Sequence, residues 1–178
     1  MNDDKKYADK QVFKVFINAP IETVWSELVN TTKPRPFFWG AMWDTPEFAP
    51  DNPYRMVAGD GKIVAAIGRI LEMEPPHKMV HSFRLTASED ETSKVTYLLK
   101  EIDGGTEFSL INENVLAGSK AEKSKAQGAQ FIVDNLKAYV ETGKVTLGAQ
   151  LMLAMYGLMA PMTPKSMRTE NWPFEKAE

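Results

Sequence analysis

Residues 12–28, VFKVFINAPIETVWSEL, narrow the folds open to this chain more than any other stretch. The run Val12, Phe13, Val15, Phe16 and Ile17 is rich in β-branched and aromatic side chains, as suits a half-buried strand. It stops at Ala19-Pro20, and Pro20 fits the first turn of a helix, where its missing N–H leaves no extra bond unmade. Ile21, Val24, Trp25 and Leu28 then recur at helical spacing along one apolar stripe. The counterpart lies at 128–143, GAQFIVDNLKAYVETG. There Ala129, Ile132, Val133, Leu136, Tyr139 and Val140 form a second stripe, and Gly143 suits a helix stop. A strand and short helix, then strands, then one late helix predicts an α+β fold: a curved antiparallel sheet wrapped around a long C-terminal helix.

The strands between the helices read as a meander. KIVAAIGRILEM at 62–73 is long enough for one bent strand, with Gly68 as the expected bulge site, and Pro75-Pro76 closes it. KMVHSFRLTA at 78–87 follows. SKVTYLLKEI at 93–102 places Val95, Tyr97 and Leu99 on one face. The glycines of DGG at 103–105 tolerate positive φ and make a hairpin turn. TEFSLINENV at 106–115 returns with Phe108, Leu110 and Asn112 on a common face. Sequential hairpins give an antiparallel sheet, not the parallel sheet of nucleotide-binding folds. The segment 30–43, broken by Pro34, Pro36 and Gly40, has room for only a short helix or turn. Residues 1–10 read as a flexible arm and 11–143 as the domain. Residues 144–178 read as an extension packed on the domain or at a dimer interface.

That extension carries LGAQLMLAMYGLMAPM at 147–162, with Met152, Met155, Met159 and Met162 at near-helical steps and Pro161 and Pro164 at its end. Methionine suits adaptable apolar contacts. A lid over a cavity, half of a homodimer interface and a membrane-resting helix are the three readings. The run lacks the basic face of an interfacial helix, which makes the membrane the weakest of them. An exposed patch of this size invites association, so burial within the protein or in a homodimer is expected.

At 178 residues with a net charge of −3, the chain has no global electrostatic reason to bind nucleic acid. The densest basic run, KAEKSK at 120–125, is broken by Glu122 and reads as a solvated helix start. No cysteine is present, so disulfides and thiolate chemistry are excluded. The polar start MNDDKKYADK lacks a signal-peptide core, and no run reaches the ~18–20 apolar residues of a membrane span. A cytoplasmic protein is expected.

Four ordered segments carry a resemblance. VFINAPIETVWSEL, GRILEMEPPHKMVHSF, SKVTYLLKEIDGGTEFSLINE and GAQFIVDNLKAYVETG together resemble the SRPBCC superfamily. Within it, the nearest likeness is to homologues of the ATPase activator of the ninety-kilodalton heat-shock chaperone. The resemblance runs from about Val12 to Gly143 and implies the birch-pollen-allergen-like helix grip, with a cavity between sheet and long helix. Such members often bind lipids, sterols, polyketides or other hydrophobic molecules. Two departures stand out. Where members often carry Gly-Trp, this chain has Gly128-Ala129, which widens the cavity mouth unless Phe131 or methionines fill it. Where members often carry His in the last strand, it has Asn112, which hydrogen-bonds but does not exchange a proton near neutral pH.

Catalytic chemistry is sparse. His77 and His81 are the only histidines, and on a strand they stand ~13 Å apart, too far for one ion. No metal site and no cofactor are expected. Glu72, Glu74, Glu101 and Glu113 lie near strand ends, and Glu113 faces away from its neighbour Asn112, so no acid–base pair forms. Arg69 and Arg84 are expected on the outer face, paired with surface acids. No G-x-S-x-G, P-loop or H-E-x-x-H pattern occurs, and GDG at 59–61 reads as a loop. The leading expectation is a small hydrophobic ligand held in a cavity lined by Trp39, Trp43, His81, Phe83, Tyr97, Phe108, Asn112, Ala129 and Ile132. Asn112, Tyr97 and His81 are the polar fixtures. The alternatives are a co-chaperone-like interaction module and a polyketide cyclase- or hydrolase-like enzyme.

Overall fold

The computed structural model describes residues 6–58, 61–88, 91–159 and 162–176. Gly59 and Asp60 of the GDG loop, residues 1–5 of the arm and Pro161 lie outside them.

The expected frame is present, with two strands the sequence reading left out. β1 (Gln11–Ile17) leads into α1 (Ile21–Leu28), a short 3-10 turn (Pro36–Phe38) and β2 (Met42–Asp44). β3 (Pro53–Ala58), β4 (Ile63–Glu74), β5 (Lys78–Leu85), β6 (Ser93–Ile102) and β7 (Gly105–Glu113) follow. Then come α2 (Lys120–Thr142) and α3 (Leu147–Met159). The strands form one antiparallel sheet in the order β1-β7-β6-β5-β4-β3-β2. It is a meander closed by the return of β1 onto β7, where Phe13 pairs with Leu110.

Several details depart from expectation. The segment 30–43 holds the short turn and also β2, which pairs Trp43 with Met56 of β3. Gly68 is not a bulge. It is a point of close approach, where an added Cβ would lie 2.0 Å from the Ser82 carbonyl oxygen and 2.8 Å from the Tyr54 ring. The β4 irregularities fall instead on either side of it, between Val64 and Ala66 against β3 and between Ile70 and Glu72 against β5. Residues 6–8 of the supposed arm are held: Tyr7 bridges to Leu116, and the Ala8 N–H donates to the Val115 carbonyl at 2.8 Å.

α2 begins eight residues before Gly128, so the basic run is its first turn. Ser119 caps it, accepting from the Glu122 N–H, while the Glu122 carboxylate accepts from Gly118 N–H at 2.7 Å. That reciprocal arrangement satisfies two N–H groups at the helix start. Gly143, at φ 74°, ends the helix in the left-handed conformation.

α2 buries Ala121, Lys125, Ala129, Val133 and Leu136 toward the concave sheet. α1 closes one end of this core, contacting β6 and β7 with Val24 and Leu28 fully buried. At the other end the chain's own side chains do not fill the space.

Candidate functional site

Between the sheet and α2 lies a cavity of about 930 Å³. Its sheet wall is built by strand alternation: Tyr54 and Met56 on β3, His81 and Phe83 on β5, Val95 and Tyr97 on β6, and Leu110 and Asn112 on β7. Its helix wall is α2, where Ser124, Gly128 and Ala129 present little side-chain bulk between Lys125 and Ile132. That is the local reason a void persists under this stretch of helix. The segment around Phe38, Trp39 and Gly40 makes a third side, and Leu153, Tyr156, Met162 and Met167 a fourth.

Eight of the nine expected positions line this space: Trp39, Trp43, His81, Phe83, Tyr97, Asn112, Ala129 and Ile132. Phe108 does not. It shares the face of Leu110 and Asn112 but sits at the end of β7 that α1 covers, fully buried behind Tyr97 with ring centroids 5.6 Å apart. Alternation gives the face correctly and says nothing of how far along the strand a second element plugs it.

The polar chemistry concentrates at His81. The Tyr54 hydroxyl lies 2.8 Å from His81 Nδ1 and donates to the Ser82 carbonyl at 2.7 Å. Trp43 and Tyr97 each meet the imidazole edge-on, with centroids 5.4 and 5.3 Å away. The ring is 2% exposed, and burial pushes its pKa down to about 4, so it is neutral at pH 7. Burial likewise raises the pKa of Tyr54 and Tyr97, which keeps both phenols protonated. Tyr54 escaped the sequence reading because β3 did; the clue was Gly68, which leaves room for an aromatic ring across the strand pair.

At the far end, Asn112 Nδ2 donates to the Lys125 carbonyl at 3.3 Å and to Gln11 Oε1 at 3.2 Å, tying β7 to α2. No Asp or Glu lines the cavity among the described residues. No cluster of metal-ligating side chains occurs among them either. His77 sits in the turn before β5, away from His81. Arg69 and Arg84 lie outside the cavity. Arg69 donates to the Asp51 carbonyl at 2.8 Å, and Arg84 stacks over Trp172 at 5.6 Å.

The loop that carries Trp39 is anchored from beneath. Arg35, 1% exposed, pairs with Glu27 of α1 at 3.0 Å and reaches the Tyr139 hydroxyl of α2 at 3.4 Å. Trp43 Nε1 donates to the Leu28 carbonyl at 2.7 Å. The C-terminal tail anchors the opposite rim: Arg55 pairs with Asp44, donates to the Trp172 carbonyl at 2.8 Å and lies 4.2 Å from the Phe174 ring.

α3 fulfils the expectation of internal burial only in part. Leu153 and Tyr156 face the cavity, whereas Leu147, Leu151, Met155 and Leu158 form an outward stripe, with Leu147 and Leu158 each 83% exposed. No helix among the described residues is long and apolar enough to cross a membrane.

A curved antiparallel sheet gripping a long helix over an apolar cavity defines the helix-grip class. The family model for Activator of Hsp90 ATPase homolog 1-like protein matches residues 18–141, and the chain belongs to that family, within the SRPBCC superfamily. No curated protein matches the chain. Among solved structures, CalU16 from Micromonospora echinospora is similar at a TM-score of 0.59 and 19% identity, over 85% of this chain and 84% of that one. A Cytophaga hutchinsonii protein, ChR145, aligns at a TM-score of 0.61 and 21% identity, covering 78% and 97%. An HSP90 activator from Plasmodium falciparum aligns at a TM-score of 0.59 and 16% identity, covering 75% and 96%. At these identities the likeness concerns the fold.

Proposed function

We propose that this protein binds a small hydrophobic molecule between its sheet and α2. The observation that carries the reading is the cavity itself. Its volume of about 930 Å³ falls in the range of small-molecule sites, and its walls are mostly aromatic and aliphatic with a few polar groups. Catalysis has less support: among the described residues His81 has no carboxylate beside it to orient or charge it, and no nucleophile–base pair is assembled there. Native mass spectrometry of the purified protein tests the proposal. A mass above that of the bare 20.0 kDa chain, lost on denaturation and recovered as a small apolar compound, is the expected result. A bare chain that also takes up no added apolar compound would end the reading.

A second reading is an interaction module, favoured by the family match and by the outward apolar stripe of α3. In that reading the stripe serves a homodimer or a chaperone contact. Light scattering of the full chain, and an ATPase assay with the chaperone, separate the two.

A further inference from the structure

The geometry points to the chemical class of the occupant: a largely apolar molecule with one hydrogen-bond donor, an alcohol, phenol or N–H, given to His81 Nε2. This rests on the cavity being a ligand site and adds what it selects.

The argument turns on one proton. The cluster Tyr54 Oη, His81 Nδ1 and Ser82 carbonyl holds two hydrogens and three heavy atoms within 2.7–3.2 Å of one another. The Ser82 oxygen only accepts, and the neutral imidazole carries one N–H. If Tyr54 donates to Ser82, as the 2.7 Å distance favours, then Nδ1 carries the imidazole hydrogen and donates to Tyr54 Oη. Both hydrogens are then used. The opposite arrangement, Tyr54 donating to a bare Nδ1, sets that lone pair 3.2 Å from the Ser82 oxygen and leaves Nε2–H as an unpaired buried donor. The first arrangement is favoured, because unsatisfied buried donors are the costlier defect.

His81 Nε2 is therefore a bare acceptor. It has no protein partner and no access to water, although its ring lines the cavity wall. A buried acceptor in that state is a desolvation defect, which a donor entering from the cavity removes. The surrounding rings set the approach. Trp43 and Tyr97 are fully buried, whereas Phe83, 6.4 Å from the imidazole, is only half-buried, so a donor that reaches the buried Nε2 has to displace the less confined part of this wall. An anion placed against the Nε2 lone pair would be repelled there, Lys125 being the cation of the lining, and no carboxylate lines the cavity among the described residues.

The test uses three probes of one shape: 1-hydroxypyrene, 1-methoxypyrene and pyrene, titrated into the full chain and followed by fluorescence. Hydroxypyrene binding at least tenfold tighter than methoxypyrene is expected, with the ratio falling to within twofold in His81→Phe. Equal binding of the three probes would overturn the His81 assignment while leaving the cavity reading intact. Binding of none would remove both. A measurement on the unmutated protein guards against a variant that fails to fold. In a long-range proton–nitrogen spectrum, His81 should show a protonated Nδ1 and an unprotonated Nε2, with Nε2 shifting on addition of hydroxypyrene alone. A protonated Nε2 in the empty protein would contradict the proposal.

Discussion

The Trp39 indole lies flat on the Phe131 ring of α2, with centroids 4.6 Å apart and 12° between the planes. Trp39 holds φ at 54°, a left-handed conformation that non-glycine residues seldom adopt, so something must hold it there. Gly128 keeps the helix face low beside it: a Cβ there would meet the indole at 3.4 Å, an ordinary contact distance. This pair answers what closes the mouth in a chain with Gly128-Ala129 instead of Gly-Trp: an indole arrives from the loop, stacked on the helix one turn further along.

Phe131→Ala is therefore expected to lower stability by about 1–2 kcal/mol, from lost apolar burial and ring contact. Urea unfolding measures it. Trp39 emission should shift to the red in the same variant as the indole gains water.

Acid should act through His81. Its folded pKa of about 4 lies below the ordinary 6.5, so below pH 6.5 the unfolded chain binds a proton that the folded one resists. Stability is full above pH 6.5 and falls as pH drops toward 4, by up to about 3 kcal/mol for this group. His81→Phe lacks the titration, so the pH 7 to pH 4.5 loss in urea unfolding should be about 2–3 kcal/mol smaller in the variant. Glu113 and Glu141, whose carboxyl pKa values are held down by hydrogen bonds from Lys10 and Lys94 and from the Asn18 N–H and Lys137, lose stability only at lower pH. They remain in both proteins and cancel from the difference.

Asn135 is the hinge pin of α3. Its buried Oδ1 accepts from the Thr146 N–H at 3.0 Å and the Thr146 hydroxyl at 2.9 Å, while its Nδ2 donates to the Phe131 carbonyl at 2.9 Å. Asn135→Ala leaves the start of α3 without this support, at an expected cost of about 2–3 kcal/mol. Hydrogen exchange should quicken across Leu147–Met159 ahead of β5 to β7.

The sequence made the frame legible where period and punctuation agreed. Strand alternation put Val95 and Tyr97, and Leu110 and Asn112, on the concave face, and the DGG turn fixed the β6–β7 register, which pairs Tyr97 with Leu110. β3 was hidden because Pro53 and Arg55 interrupt its apolar pattern, and Arg55 makes sense only against Asp44 and the distant Trp172 and Phe174. Phe108 was misplaced because a face is local information and the plug formed by α1 is not. The outward stripe of α3 was unreadable for a related reason: a helix apolar all round has no polar face to say which side looks out.

The central claim, an accessible cavity beneath α2, is tested most directly by filling it. Ala129 is 4% exposed and lines the cavity, so Ala129→Trp places a large ring in the void at a cost of about 1–3 kcal/mol from local crowding. Pyrene titrated into both proteins should bind the unmodified chain at one molecule per chain and the variant at least tenfold more weakly, with the circular dichroism of the two alike. Equal affinity in both, or no binding to either, would contradict the account.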